Sequence, residues 1–138
     1  MICQQFPQNT FINALVQFAL LRGVKFALSP IPLWHYRPDK RTIYYWKDDL
    51  AYQPSEFIIT ALAHELGHVV DFELHPEKAQ VIAYLGLEDI PDDLEISAFL
   101  TGFRIIKELK IPVTAHRYVH WIAEPLKKQI LLLLVKPV

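Results

Sequence analysis

The sequence contains a single cysteine, Cys3, among 138 residues. One thiol excludes an intrachain disulfide framework, and it also excludes a zinc site built from four cysteines. The formal net charge is only −1, so the composition gives no general argument for nucleic acid binding, and we expect none. Because no disulfide stabilises the chain, a reducing compartment fits it, and we expect a cytoplasmic protein.

Long apolar runs are also missing. Residues 130–135 are too few to span a bilayer, and residues 11–21 lack the basic start of a signal peptide. We therefore expect no membrane segment. Hydrophobic residues still make up 52% of the chain, so residues 1–138 can form a single domain with a substantial core.

The N-terminal third carries signals for one helix and two strands. Asn9 or Thr10 is a good cap for a helix that ends near Gly23. Residues 24–28 and 42–46 are typical of strands. The intervening residues 29–39 contain three prolines, which predict a loop or an irregular edge.

The remainder of the sequence predicts helices. The expected ranges are 54–72, 91–109 and 114–134, the last with a kink at Pro125, and a connector over 74–90 with a short helical piece at 78–85. The predicted class is α+β, mostly helical, with a small N-terminal sheet packed on the helix that begins at Pro54.

That helix carries the pattern His-Glu-x-x-His. His64 and His68 are four residues apart, so both imidazoles lie on one helix face, where they can share a tetrahedral ion. Glu65 lies about 100° around the helix from His64, because of the 3.6-residue period. It can reach a metal-bound water without binding the metal. The pattern predicts a zinc site with Glu65 as general base.

Gly67 lies inside this helix, where glycine costs about 1 kcal/mol relative to alanine. A second element packed closely against the motif would explain that cost. The surrounding residues 48–95 contain twelve acids and one base. Negative potential there would favour a divalent cation, although a solvated helix face has the same composition.

A catalytic zinc needs a third protein ligand. Asp71 follows His68 by three residues and could bind the metal, but we expect it to support a histidine from behind. Glu95, in the first turn of a later helix, is the better candidate ligand. Asp92 and Glu95 also have the spacing of a capping box, so the spacing alone leaves both roles of Glu95 open.

Residues 63–68, Ala-His-Glu-Leu-Gly-His, and the later Glu95-x-x-Ala98 resemble the ImmA/IrrE family of zinc metallopeptidases. The similarity covers about residues 42–110. It implies a minimal zincin-like domain with a gluzincin-like site, in which His64, His68 and Glu95 bind one Zn²⁺ per chain and Glu65 is the base.

Members of that family often cleave a DNA-binding repressor, so the resemblance implies a polypeptide substrate of this regulatory kind. The sequence departs from the family at Phe99, where asparagine is frequent, and it shows no helix-turn-helix module. A protein that binds zinc and a partner without catalysis is the alternative function. A helical domain with a coincidental motif is a third.

Such enzymes hold the substrate as a strand along a sheet edge. Residues 42–46 are the predicted edge, with Tyr44 and Tyr45 shaping a groove, unless these rings pack in the core. His116 and His120 also have helical spacing. They could form a second metal site or stabilise an oxyanion, but surface or packing roles are the ordinary interpretation.

Overall fold

The computed structural model describes residues 6–85 and 90–135, and Cys3 lies outside them. The described chain is α+β and mostly helical, which confirms the predicted class. In chain order its elements are α1 (Thr10–Leu21), β1 (Lys25–Leu28), β2 (His35–Arg37), β3 (Thr42–Tyr45), α2 (Lys47–Tyr52), α3 (Ser55–Leu74), α4 (Pro76–Leu85), α5 (Asp92–Glu108), α6 (Ala115–Val119) and α7 (Leu126–Leu134). No helix within the described ranges is long and apolar enough to cross a membrane.

Helix α1 begins and ends as the sequence predicts. The Asn9 side chain accepts hydrogen bonds from the backbone N–H groups of Phe11 and Ile12, at 2.9 and 3.1 Å. Gly23 follows the helix with φ +77°, a conformation that glycine adopts without strain. One face of α1 is buried in the core, formed by Ile12, Leu15, Val16 and Ala19.

The three strands form one sheet in the order β1-β3-β2. Strand β1 is parallel to β3, and β2 is antiparallel to β3. Because β3 is the central strand, the prediction that residues 42–46 form a free edge is wrong. The proline-rich segment supplies β2 because Pro32 and Pro38 lie outside His35–Arg37, so every residue of β2 keeps its N–H group.

Helix α3 is central to the fold, and twelve of its residues are buried. Strand β2 packs against it, with the Tyr36 ring stacked 6.3 Å from Phe72, so the predicted contact between sheet and motif helix is confirmed. Helix α5 makes the most extensive contact with α3. The ligand residues therefore lie between two tightly packed helices.

Two glycines bring α3 and α5 together. A Cβ atom added at Gly67 would lie 2.7 Å from the carbonyl carbon of Ala98, and one added at Gly102 would lie 2.7 Å from that of Ala63. Each helix thus has a glycine where the backbone of the other approaches most closely. The close packing expected from Gly67 is confirmed.

The C-terminal region differs from the prediction of one helix over residues 114–134. It contains α6 and α7, which are separated by residues 120–125. Pro125 has no N–H group for a helical hydrogen bond, so it begins a new helix instead of kinking an existing one. Helix α2 was not predicted, and the expected connector is largely α4, with residues 86–89 outside the described ranges.

Candidate metal centre

Three side chains from α3 and α5 converge on one point. The Nε2 atoms of His64 and His68 lie 3.1 and 2.7 Å from Oε1 of Glu95. The two histidines come from successive turns of α3, and Glu95 comes from the first turn of α5. The structure thus brings together the three residues expected to act as ligands.

The capping-box alternative for Glu95 is wrong. Helix α5 has Pro91 at its N-cap, and within the described residues no side chain accepts a cap hydrogen bond there. The Glu95 carboxylate instead extends across to α3, where it meets both histidines. The pairing of Glu95 with α3 depends on how the helices pack, which explains why spacing alone left its role open.

The residues fit a divalent metal. One ligand atom from each residue can be chosen so that all lie within 4.8 Å of one another. Tetrahedral zinc with bonds of about 2.0–2.2 Å places its ligand atoms about 3.3 Å apart. The observed separations of 2.7 and 3.1 Å are shorter than that value, as expected of atoms joined by hydrogen bonds. Two imidazoles and a carboxylate are also a donor set found in catalytic zinc sites.

The charges at the centre reinforce one another. Burial would raise the pKa of Glu95, but hydrogen bonds with His64 and His68 outweigh it and hold the pKa well below its ordinary value. Burial would lower the pKa of His64, yet the neighbouring Glu65 and Glu95 carboxylates raise it above its ordinary value. The centre therefore stabilises an ionised carboxylate beside a cation.

Glu65 lies beside the three ligands without joining them. Its side chain is almost fully buried, and Oε2 is 3.4 Å from Nδ1 of His64, on the opposite side of that ring from Glu95. Burial raises the pKa of Glu65, and the nearby histidines offset part of this rise. A carboxyl group whose pKa is raised by burial is suited to accept and then release a proton.

Asp71 does not support a histidine, so that prediction is wrong. Its two carboxylate oxygens accept hydrogen bonds from Ser97 Oγ and Thr101 Oγ1, both at 2.7 Å. Both donors are on α5, on either side of Ala98. Asp71 therefore links α3 to α5 through two hydrogen bonds. Nδ1 of His68, which Asp71 was expected to contact, has no hydrogen-bond partner among residues 6–85 and 90–135.

Phe99 has a role that the sequence did not indicate. Its ring stacks on His64 with centroids 3.7 Å apart and planes 4° from parallel, so it packs against one face of the imidazole and restricts its orientation. The Tyr118 hydroxyl donates a 2.7 Å hydrogen bond to the Phe99 carbonyl oxygen. The sequence marked Phe99 only as a departure from the ImmA/IrrE pattern, which often has asparagine at this position.

Two cavities meet at the metal centre, and His64, Glu65 and Glu95 line both. The smaller has a volume of about 60 Å³ and lies between α3 and residues 33–36. The larger has a volume of about 330 Å³ and is bordered mainly by aromatic and small side chains. The centre is thus bordered by a cavity on each of two sides.

Other expected site residues lie elsewhere. Tyr45 is 1% exposed and packs against Phe6 in the core, so its assignment to a substrate groove is wrong. Tyr44 stacks on His35 across the β3-β2 pair, and both cavities at the centre are lined by other described residues. The sheet order also explains why β3 is not a substrate-binding edge, because β1 and β2 pair with both of its edges.

His116 and His120 are exposed, and His120 packs edge-on against Trp121 at 4.7 Å. Among the described residues, His64, His68 and Glu95 form the one group suited to a metal, which argues against a second site at this pair.

No protein-family model, curated protein or solved structure matches the chain. Geometry and chemistry therefore carry the functional argument.

Proposed function

We propose that this protein is a zinc-dependent metallopeptidase with a zincin-like fold, which hydrolyses peptide bonds in a protein substrate. The observation that carries the proposal is the convergence of His64, His68 and Glu95, with the buried Glu65 carboxyl group beside them. Three protein ligands leave a fourth tetrahedral position open, as in catalytic zinc sites. The resemblance to the ImmA/IrrE family supports the same function.

When bound, zinc supplies Lewis acidity, which makes water a nucleophile at neutral pH and polarises a carbonyl group. The protein's own groups transfer the proton from the attacking water to the departing amine. Glu65 accepts a proton from the attacking water and then donates it to the departing amine, because burial raises its pKa toward the working pH. His64, His68 and Glu95 hold the metal between α3 and α5.

Strand β2 is the sheet edge nearest to the site. It borders the small cavity through His35 and Tyr36, together with His64 and Glu65. An extended polypeptide that pairs with the outer edge of β2 would pass the metal centre, which is the β-augmentation mode of recognition. We therefore propose a polypeptide substrate that binds along β2, and a regulatory protein such as a repressor is the candidate that the resemblance suggests.

A catalytically silent zinc protein is the competing function. Such a protein would need the three ligands, and it would use Glu65 only to orient His64, whose Nδ1 lies 3.4 Å from Oε2 of Glu65. Cleavage, and not metal binding, therefore separates the two functions.

The decisive experiment measures metal content and cleavage together. Protein purified without chelator should contain about one zinc per chain by elemental analysis. Glu65→Gln should keep the zinc and lose cleavage of a panel of internally quenched peptides by a factor of about 100 or more. Glu77→Gln, the same exchange at an exposed glutamate on α4, should keep both.

Each result separates the candidate functions. Zinc binding without cleavage of any peptide by the parent protein would favour the silent regulator. Equal cleavage by the parent and Glu65→Gln proteins would refute the assignment of Glu65 as base. No bound zinc, and no thermal shift when zinc is added, would leave a helical domain with a coincidental motif.

A further inference from the structure

The larger cavity has a wall of aromatic rings that begins at the metal centre. Phe99 stacks on His64, and Trp121 and Phe57 form an edge-to-face pair with centroids 5.6 Å apart. Trp34 closes another side, where its indole N–H donates to Asp49 at 2.8 Å. Rings in these arrangements offer both faces and edges to a further ring.

Small residues of α3 leave the space between these rings open. Ala61 borders the cavity with only a methyl group, one helical turn before the ligand His64. The resulting volume of about 330 Å³ is large enough for a bulky side chain. The carboxylates of Asp49, Glu65 and Glu95 also line it, and they disfavour an acidic occupant.

We infer that this cavity binds a large apolar side chain, aromatic by preference, from the substrate residue next to the cleaved bond. The inference rests on the proposed function, because it places that residue by its distance from the metal centre. Side chains alternate along an extended strand, so the residue at the cleaved bond reaches the cavity while its neighbours point away.

Binding of two small probes tests the inference without catalysis. N-acetylphenylalanine hydroxamate and N-acetylalanine hydroxamate both chelate zinc, and they differ only in the side chain offered to the cavity. Isothermal titration of zinc-loaded protein should show about tenfold to hundredfold tighter binding of the phenylalanine probe, from the burial of its ring. Zinc content is measured on the same samples.

A variant that fills the cavity tests the pocket. Ala61→Leu should reduce the preference to about threefold or less, with little change for the alanine probe. Ala51→Leu, on the exposed face of α2, is the matched control that should behave as the parent.

The outcomes are distinct. Protein that holds zinc but binds the two probes equally, or binds neither, would overturn the pocket and leave the metal centre standing. An unchanged preference for the phenylalanine probe in a folded, zinc-loaded Ala61→Leu protein would likewise overturn the pocket. Protein that holds no zinc would overturn the proposed function, and this inference with it.

Discussion

Gly67 faces the backbone of Ala98, where an added Cβ atom would lie 2.7 Å from the carbonyl carbon. Helix propensity alone predicts that Gly67→Ala stabilises the protein by about 1 kcal/mol. Steric overlap with a backbone atom predicts the opposite sign, a loss of about 1–3 kcal/mol. Urea denaturation of the metal-free protein, in the presence of a chelator, distinguishes the two predictions. A gain in stability would show that α5 can move away from α3 without a loss of free energy.

Asp71 is buried and satisfies the hydroxyl groups of Ser97 and Thr101 on α5. Asp71→Ala should lower the free energy of unfolding by about 2–4 kcal/mol, because it removes two hydrogen bonds to a carboxylate and leaves both donors unpaired. Asp93→Ala, the same exchange at an exposed position of α5, should change it by no more than about 0.5 kcal/mol. Similar losses in the two variants would contradict the role of Asp71.

The metal-free centre should become less stabilising as the pH rises. The pKa of His64 is raised, so its contribution to stability is complete below its ordinary value of 6.5 and is lost as the pH rises through the folded-state pKa. The pKa of Glu65 is raised too, so its contribution declines above 4.5. The pKa of Glu95 is lowered, so its contribution is lost only as the pH falls below 4.5.

Zinc should reverse this trend, because it binds deprotonated histidine. We expect the chelated protein to melt at a lower temperature at about pH 8.5 than at about pH 6, and the melting increment from zinc to be larger at the higher pH. His64→Ala should flatten both dependences, whereas His116→Ala, at an exposed histidine, should keep them. An increment from zinc that does not depend on pH would contradict the ligand assignment.

At the scale of elements, α6 is attached to α5 through one buried ring. Tyr118 is fully buried, and its hydroxyl group donates to the Phe99 carbonyl oxygen. Tyr118→Phe should cost about 1–2 kcal/mol of unfolding free energy, since a buried hydrogen bond is lost and its acceptor remains. Tyr52→Phe, at a tyrosine that is 83% exposed, should be neutral in the same denaturation series. A neutral Tyr118→Phe would show that the hydrogen bond contributes no net stability.

Elements with strong local signals could be predicted from the sequence. Helices α1, α3 and α5 are long and have regular apolar spacing, and Asn9 or a proline marks each start. Strand β2 could not be predicted, because three residues give no periodicity and prolines flank them. The sheet order was also hidden, since β1 pairs with β3 past the intervening strand β2, which could not be predicted.

The site divides in the same way. His64, Glu65 and His68 could be identified because their geometry is local to one helix turn. The contact of Glu95 with both histidines needed the packing of α5 on α3, which spacing does not determine. The true partners of Asp71 and the stacking of Phe99 on His64 are likewise tertiary features.

At the scale of the whole molecule, surface ion pairs join the acid-rich residues 48–95 to other elements. Arg117 pairs with Glu56, and Arg22 and Arg41 both pair with Glu73. All of these side chains are at least 30% exposed, so each pair contributes about 0–1 kcal/mol. The acidic residues of the segment 48–95 therefore include members of exposed ion pairs as well as the carboxylates of the candidate metal centre.

Metal removal should destabilise the entire domain. Glu95 and His68 are 27 positions apart in the chain, so an ion held between them links α3 to α5. At free zinc of about 100 times the dissociation constant, the gain in unfolding free energy should be about 2.7 kcal/mol. Thermal melts with zinc and with chelator measure it, and identical melts would count against a metal held in the folded state.

The backbone contact of α3 with α5 also bears on how this centre could be engineered. The distance between the helices is set at Gly67 and Gly102 by main-chain atoms, which every residue carries. A redesign of the surrounding core that keeps the two glycines, and the hydrogen bonds of Asp71 to Ser97 and Thr101, therefore keeps the two helices at this distance. The two helices amount to a candidate metal-binding unit, whose transfer to another scaffold requires these contacts as much as the two histidines and the glutamate.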